Sequence, residues 1–124
     1  YYKDFLTEMC QDLRESVEIA KAAGVPDENI ILDPGVGFGK IYEQNLQAIN
    51  HLELLKEIRY PVLLATSRKS VIGRALDLPS DQRVEGTVVT TVMGVEKGAS
   101  FVRVHDVKEN KRAIQMTQAI LREQ

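Results

Sequence analysis

With 124 residues, 16 basic against 18 acidic side chains and a net charge of -2, the chain has room for one domain with a modest core. Charges of both signs are mixed along it, which excludes the long basic runs expected of a nucleic-acid or membrane-surface partner. No stretch reaches the roughly 18 apolar residues that span a bilayer, no signal-peptide pattern is read at the start, and the single Cys10 permits no internal disulfide, so the cytoplasm is the expected compartment.

The chain begins at Tyr1 without an initiator methionine, inside a pattern that already reads as helix, and so reads as part of a longer protein. Phe5, Leu6, Met9, Cys10, Leu13, Val17 and Ala20 recur at spacings of three and four, which predicts an amphipathic helix over 2–23 stopped by Gly24 and Pro26. Cys10 falls on the apolar stripe and is expected in the core. Residues 29–33 predict a short buried strand. After a glycine-rich turn, Leu46, Ile49, Leu52, Leu55 and Ile58 mark a second helix, on which His51 is expected at the surface. The apolar run "PVLLATS", 61–67, suits a parallel strand covered on both faces. A short helix over 69–76 follows, then a break at "DLPSD" with Ser80 or Asp81 as cap. Residues 82–98 are rich in β-branched side chains, yet Val84, Val88, Thr91, Val92 and Val95 form a helical stripe too long for one strand. "ASFVRVHD", 99–106, is the third strand. The last helix starts after Asp106, with Glu109 three residues on in the manner of a capping box.

The order α β α β α α β α implies an α/β fold with parallel strands joined by right-handed crossovers. An open sheet and a barrel both fit that order. A complete eight-stranded barrel takes about 250 residues, about 31 per βα unit, so this chain would supply somewhat less than half of one. In either architecture ligands gather at the carboxyl ends of the strands, where three polar clusters fall: "DPGVGFGK", "TSRKS" and "RVHD".

Each cluster admits two readings. Gly35, Gly37 and Gly39 are spaced G-x-G-x-G, which matches neither the Walker loop nor the dinucleotide fingerprint. The loop is either a plain tight turn, with Asp33 bonding local amides and Pro34 fixing φ, or a lip where Asp33 accepts two N–H donors from a flat heterocycle that the glycines let approach. Arg68 and Lys69 are either two solvated cations or, placed between a strand and a helix start, part of an anion site. In "FVRVHD" the period of two puts Phe101, Arg103 and His105 on one face. That face is either a polar surface against helices or, since an arginine on a strand needs an anion or a wet cavity, an anion-binding mouth.

The segments "LDPGVGFGK", "LLATSRKSVIG" and "FVRVHDV", with the helix "QRVEGTVVTTVMGVEKGA" between the last two, resemble in order and spacing the carboxyl-terminal half of the dihydropteroate synthase family, over nearly the whole chain. The resemblance implies a single partial domain over 1–124, the last three parallel strands and surrounding helices of a (β/α)8 barrel. The family's enzymes join p-aminobenzoate to 6-hydroxymethyl-7,8-dihydropterin pyrophosphate, releasing pyrophosphate with help from Mg²⁺. Carried over by motif, Asp33 would bind the pterin N–H edge, Gly37 would belong to the same loop, and Lys69 would contact the ring. Arg103 would lie along the pterin and reach the pyrophosphate, which His105 would also hold. Lys69, Arg103 and His105 would be the catalytic set. Phe38 would wall the p-aminobenzoate pocket, with Ser70 near that substrate's carboxylate.

Ala65 stands where the family often has glycine. The family's metal loop and its earlier pterin ligands have no counterpart here, so no metal ligand is assigned and the chain alone is expected to be inactive. Apolar faces and strand edges left by an incomplete barrel, together with the family's usual dimerisation through its last helices, predict a homodimer or a self-associating fragment. Two other readings compete. One is a related pterin-binding barrel that transfers methyl groups to a corrinoid, against which "SRKS" and "RVHD" count; the other is a non-catalytic fragment that binds pterin or pyrophosphate.

Overall fold

Three short extended segments lie side by side and parallel. The structure, a computed structural model, describes residues 2–123, with side chains from residue 5 onward; Tyr1, from which the sequence reading starts, lies outside them. Leu63–Leu64 (β1) pairs in parallel with Phe101–Val102 (β2), Leu63 opposite Phe101 and Leu64 opposite Val102. On the other side of the same rail, Leu32 makes an isolated parallel bridge to Val62. The Leu32 N–H donates to Pro61 O and its carbonyl accepts from Leu63 N, both at 2.8 Å.

The fold is therefore α/β, but the predicted strands over 29–33, 61–67 and 99–106 shrink to one bridge and two two-residue strands. Their ends are taken by tighter structure. Asp27–Asn29 is wound into a 3-10 turn, Asp33 is drawn into the glycine loop, and Lys69 N bonds Thr66 O at 3.0 Å to close a turn just past β1. One ladder bond does extend beyond β2, from Arg103 N to Leu64 O at 3.0 Å.

Among the described residues five α-helices surround these rails. α1 (Tyr2–Ala22) ends where Gly24 takes φ +92, as its sequence predicts. Its buried Met9 and Val17 anchor a stripe on which Phe5, Leu6 and Leu13 also pack against the core, and the half-buried Cys10 joins them. Burial pushes the Cys10 thiol above its usual range, with Arg14 opposing and Glu57 adding to the shift. The single helix predicted from the 46–58 stripe divides at His51, whose φ of -118 leaves the helical range. α2 (Tyr42–Asn50) precedes that break and a 3-10 helix, Leu52–Ile58, follows it. Leu52, Leu55 and Ile58 are spaced by three, so winding at three residues per turn stacks them on one face. Leu52 and Leu55 are accordingly 1% and 0% exposed.

α3 (Ser70–Leu76) starts directly after Lys69. α4 (Val84–Glu96) is the helix predicted from the β-branched run, but Ser80 and Asp81 do not cap it, because Ser80–Gln82 forms its own 3-10 turn and Arg83 takes the cap position. Its buried face, Thr87, Thr90, Thr91 and Gly94, shares only Thr91 with the expected stripe, whose Val84, Val88, Val92 and Val95 are half-buried. Threonine can be buried there because each hydroxyl is bonded. Thr87 donates to Arg83 O at 3.1 Å, Thr90 to Thr87 O at 2.7 Å and Thr91 to Asn110 Oδ1 at 2.6 Å. α5 (Val107–Leu121) lacks the predicted side-chain cap from Asp106. The Asp106 carboxylate is engaged by Arg68 instead.

Candidate functional site

Because the three rails run parallel, their carboxyl ends finish on one edge, and the loops 33–40, 65–70 and 103–106 meet there. Lys69 is the point of contact. Its ammonium donates to Val36 O at 2.7 Å and sits 4.8 Å from the centre of the Phe38 ring. Burial pushes that ammonium below the ordinary lysine value; the Asp33 carboxylate opposes the shift, while Arg103 and Lys40 add to it. Charges from the first and third predicted clusters thus act on one nitrogen of the second.

The glycine loop is built for this approach. Gly37 has φ +88, and a Cβ on it would lie 3.2 Å from Lys69 Cδ, so a side chain there would be strained and would press on the lysine stem. The Gly37 N–H donates to Oδ1 of Asn45 at 2.9 Å, and Asn45 is only 4% exposed. Lys40 is an internal strut, its ammonium donating to Gly35 O at 3.1 Å. Asp33 realises the plain-turn reading with one oxygen, Oδ1 accepting from Gly35 N at 2.8 Å. The residue is nevertheless exposed, and its other oxygen takes no bond among the described residues. The two readings of the loop are compatible.

Of the two adjacent cations, one is committed. Arg68 adopts φ 58, uncommon for a side-chain-bearing residue, and is held at three points. Its N–H donates to Thr87 Oγ1 at 3.1 Å, its carbonyl accepts from Arg83 Nη1 at 2.8 Å, and its guanidinium bonds Asp106 at 2.8 and 3.2 Å. Arg83 reaches this position across Gly73, where a Cβ would lie 2.2 Å from its Cζ. Arg68 is therefore a brace between two loops, which leaves Lys69 to face the site.

The bond from Arg68 holds the Asp106 carboxyl below the usual carboxylate range. A depressed folded value means that the pair stabilises the fold fully above the ordinary carboxylate value of about 3.9, and that this contribution is lost as pH falls through the lower folded value. Urea midpoints of the wild type and Asp106→Asn should accordingly differ at neutral pH and converge in acid. A gap independent of pH would contradict the pairing.

On the third rail the predicted alternation holds, with Phe101, Arg103 and His105 exposed and Val102 and Val104 half-buried. Arg103 makes no salt bridge among the described residues. His105 is tied to the buried Ser67, whose Oγ lies 2.7 Å from Nδ1 and 2.9 Å from the His105 main-chain nitrogen. Ser70 is exposed at the first position of α3, and Phe38 is 72% exposed. Beyond Phe38 a cleft of about 370 Å³ is lined by Phe5, Glu8, Asp12 and Gln44. A larger apolar cavity of about 460 Å³ lies between α2, α3 and α4, and no predicted site residue lines it. His51, its side chain 43% exposed, is remote from the cluster and lies against Glu53 at 3.9 Å.

The predicted residues Asp33, Gly37, Phe38, Lys69, Ser70, Arg103 and His105 all belong to the three loops. Ser67, Asn45, Arg83 and Thr87 support them without having been given that part by the sequence, and Asp106, expected as a helix cap, braces Arg68 instead, since a polar side chain shows its partner only in three dimensions. No group of three or more histidine, cysteine or acidic side chains able to hold a metal occurs among the described residues. At the Lys69 ammonium the one carboxylate, Asp33, acts together with the cations Arg103 and Lys40, and a single carboxylate in company with three cationic side chains does not fit Mg²⁺.

Residues 1–105 match the family described as Pterin binding enzyme. The chain belongs to the pterin-binding enzyme family. Within it the resemblance to dihydropteroate synthase is extensive. The chain is 62% identical over 122 residues to the dihydropteroate synthase of Clostridium beijerinckii, covering 98% of this chain and 45% of the relative. It is 55% identical over 120 residues to that of Bacillus subtilis, covering 97% and 42%. Among solved structures it is similar to the Clostridium difficile enzyme in the presence of pteroic acid, with a TM-score of 0.94, 50% identity and coverage of 99% and 47%. It is also similar to the Xanthomonas albilineans enzyme in complex with 7,8-dihydropteroate, with a TM-score of 0.95, 35% identity and coverage of 100% and 49%. The chain thus spans somewhat under half the length of these curated relatives. No helix among its described residues is long and apolar enough to cross a membrane.

Proposed function

We propose that this chain supplies one part of a (β/α)8 dihydropteroate synthase barrel, contributing the Asp33, Lys69, Arg103 and His105 side of a pterin pyrophosphate site. The observation that carries the reading is that Lys69, at the end of the second rail, bonds Val36 O and covers the Phe38 ring of the first rail's loop, on the edge where Asp33, Arg103 and His105 also end. A dihydropterin offers neighbouring N–H donors, which the free oxygen of Asp33 can accept. The Lys69 ammonium, placed by Val36 O and the Phe38 ring, faces the same heterocycle across Gly37. In the reaction the bond from the pterin methylene carbon to the pyrophosphate oxygen breaks, and pyrophosphate leaves with the electron pair. The p-aminobenzoate nitrogen then bonds that carbon and loses a proton. Arg103 and His105 would oppose the negative charge that grows on the departing oxygen, while Phe38 and Ser70 would border the arylamine. No covalent enzyme nucleophile is needed. Mg²⁺, expected by resemblance, finds no fitting donor set among these residues, and no step here passes through it.

The chain alone would bind without turnover, as a single partial domain of a cytoplasmic enzyme. Its exposed Leu46, Leu76 and Val89 support concentration-dependent self-association or a homodimer. Calorimetric titration with the dihydropterin pyrophosphate, with and without added Mg²⁺, tests the reading. Lys69→Met should weaken binding about tenfold or more, the order of one charge-assisted bond. Methionine also removes the donor to Val36 O, so a thermal melt of the variant accompanies the titration, and the affinity should fall by more than any loss of folded protein accounts for. Unchanged affinity in this variant would defeat the assignment, and dihydropteroate formed by the 124-residue chain would refute its inactivity.

A further inference from the structure

We infer that Ser67 is a positioning residue that holds His105 as the Nε2–H tautomer, so that the ring presents an N–H donor to a diphosphate. Ser67 Oγ lies 2.9 Å from the His105 main-chain nitrogen and 2.7 Å from Nδ1 of the same residue. The main-chain N–H can only donate, so it occupies one lone pair of the hydroxyl. If Nδ1 also carried a hydrogen, Oγ would accept twice and its own hydrogen would need an acceptor. None lies within bonding distance among the described residues, and Ser67 is 8% exposed. A hydroxyl hydrogen buried without a partner is costly. The arrangement that satisfies every group has Ser67 donating to Nδ1, which leaves the ring hydrogen on Nε2.

The tautomer matters because diphosphate oxygens only accept. Nε2–H attracts them, whereas the opposite tautomer would aim a nitrogen lone pair at the anion. Ser67 is the last buried residue before the Arg68 brace, so one short side chain both ties the second rail to the third and sets the donor that the third presents. The ligand part of this inference rests on the proposed function; the tautomer does not.

Long-range ¹H–¹⁵N spectra of the imidazoles test it directly, at about pH 8, above the ordinary imidazole value of about 6.5. His51→Gln removes the second histidine signal without touching the site. The wild-type ring of His105 should show a protonated Nε2 and an unprotonated Nδ1, and adding inorganic pyrophosphate should shift Nε2–H. Ser67→Ala should mix the tautomers and weaken pyrophosphate binding about fivefold, the size of one hydrogen bond, while Ser67→Thr restores both. A wild-type ring protonated at Nδ1 overturns the inference whether or not either variant folds. An Nε2–H ring indifferent to pyrophosphate would leave the tautomer supported and overturn the diphosphate role.

Discussion

Asp33→Ala is expected to lower the affinity for dihydropterin pyrophosphate by roughly 100-fold or more, since two charge-assisted bonds of about 1.5–3 kcal/mol each are at stake. Alanine also deletes the acceptor for Gly35 N, so this variant alone would confuse ligand binding with loop folding. Asp33→Asn separates them. Its Oδ1 can still accept from Gly35 N, but it has no negative charge, and its amide group presents donors where the pterin also presents donors. The asparagine variant should therefore keep its thermal midpoint and still lose most of its affinity. Affinity within threefold of wild type in Asp33→Asn would show that Asp33 serves the turn only.

The largest structural loss is expected from Asn110→Ala. Asn110 is 1% exposed and joins three elements: Oδ1 accepts from Thr91 of α4 at 2.6 Å, Nδ2 donates to Asp106 O at 2.8 Å, and its main chain lies in the first turn of α5. Removing it strands a Thr91 hydroxyl that is itself 1% exposed. The expected cost is about 2–4 kcal/mol, seen as a fall of about 10 °C in the thermal midpoint. The loss should reach the site, because the same residue steadies the Asp106 main chain whose carboxylate braces Arg68. Thr91→Val combined with Asn110→Ala should cost less than the two single losses added together, since no hydroxyl is then left unpaired. Strict additivity, or a change below about 0.5 kcal/mol for Asn110→Ala, would dismiss the interlock.

What was legible beforehand followed from period and from punctuation. The stripe in 2–23 with Gly24 behind it placed α1 within a residue of its observed end, and the alternation in "FVRVHD" put Arg103 and His105 on one face, which the structure leaves exposed. Where two physical preferences competed, local pattern misled. A helical stripe over 46–58 could not register that Leu52, Leu55 and Ile58 also fit a three-residue winding. The stripe over 84–95 takes in Thr91 but neither Thr87 nor Thr90, which α4 also buries. Asp106 followed by Glu109 looked like a capping box, yet a carboxylate within reach of an arginine prefers that partner.

By itself the sequence determined which side chains were available at the ends of the three rails, and in what order. Hydrophobic period and glycine placement are local properties, and they sufficed to align Asp33, Lys69, Arg103 and His105 with those ends. Tertiary structure alone decided which charges would be free. It paired Arg68 with Asp106, turned Lys40 inward onto Gly35 O, and set Ser67 against His105. Those choices join residues up to 38 positions apart. They depend on which buried donor meets which acceptor, a matter that no periodicity along the chain encodes.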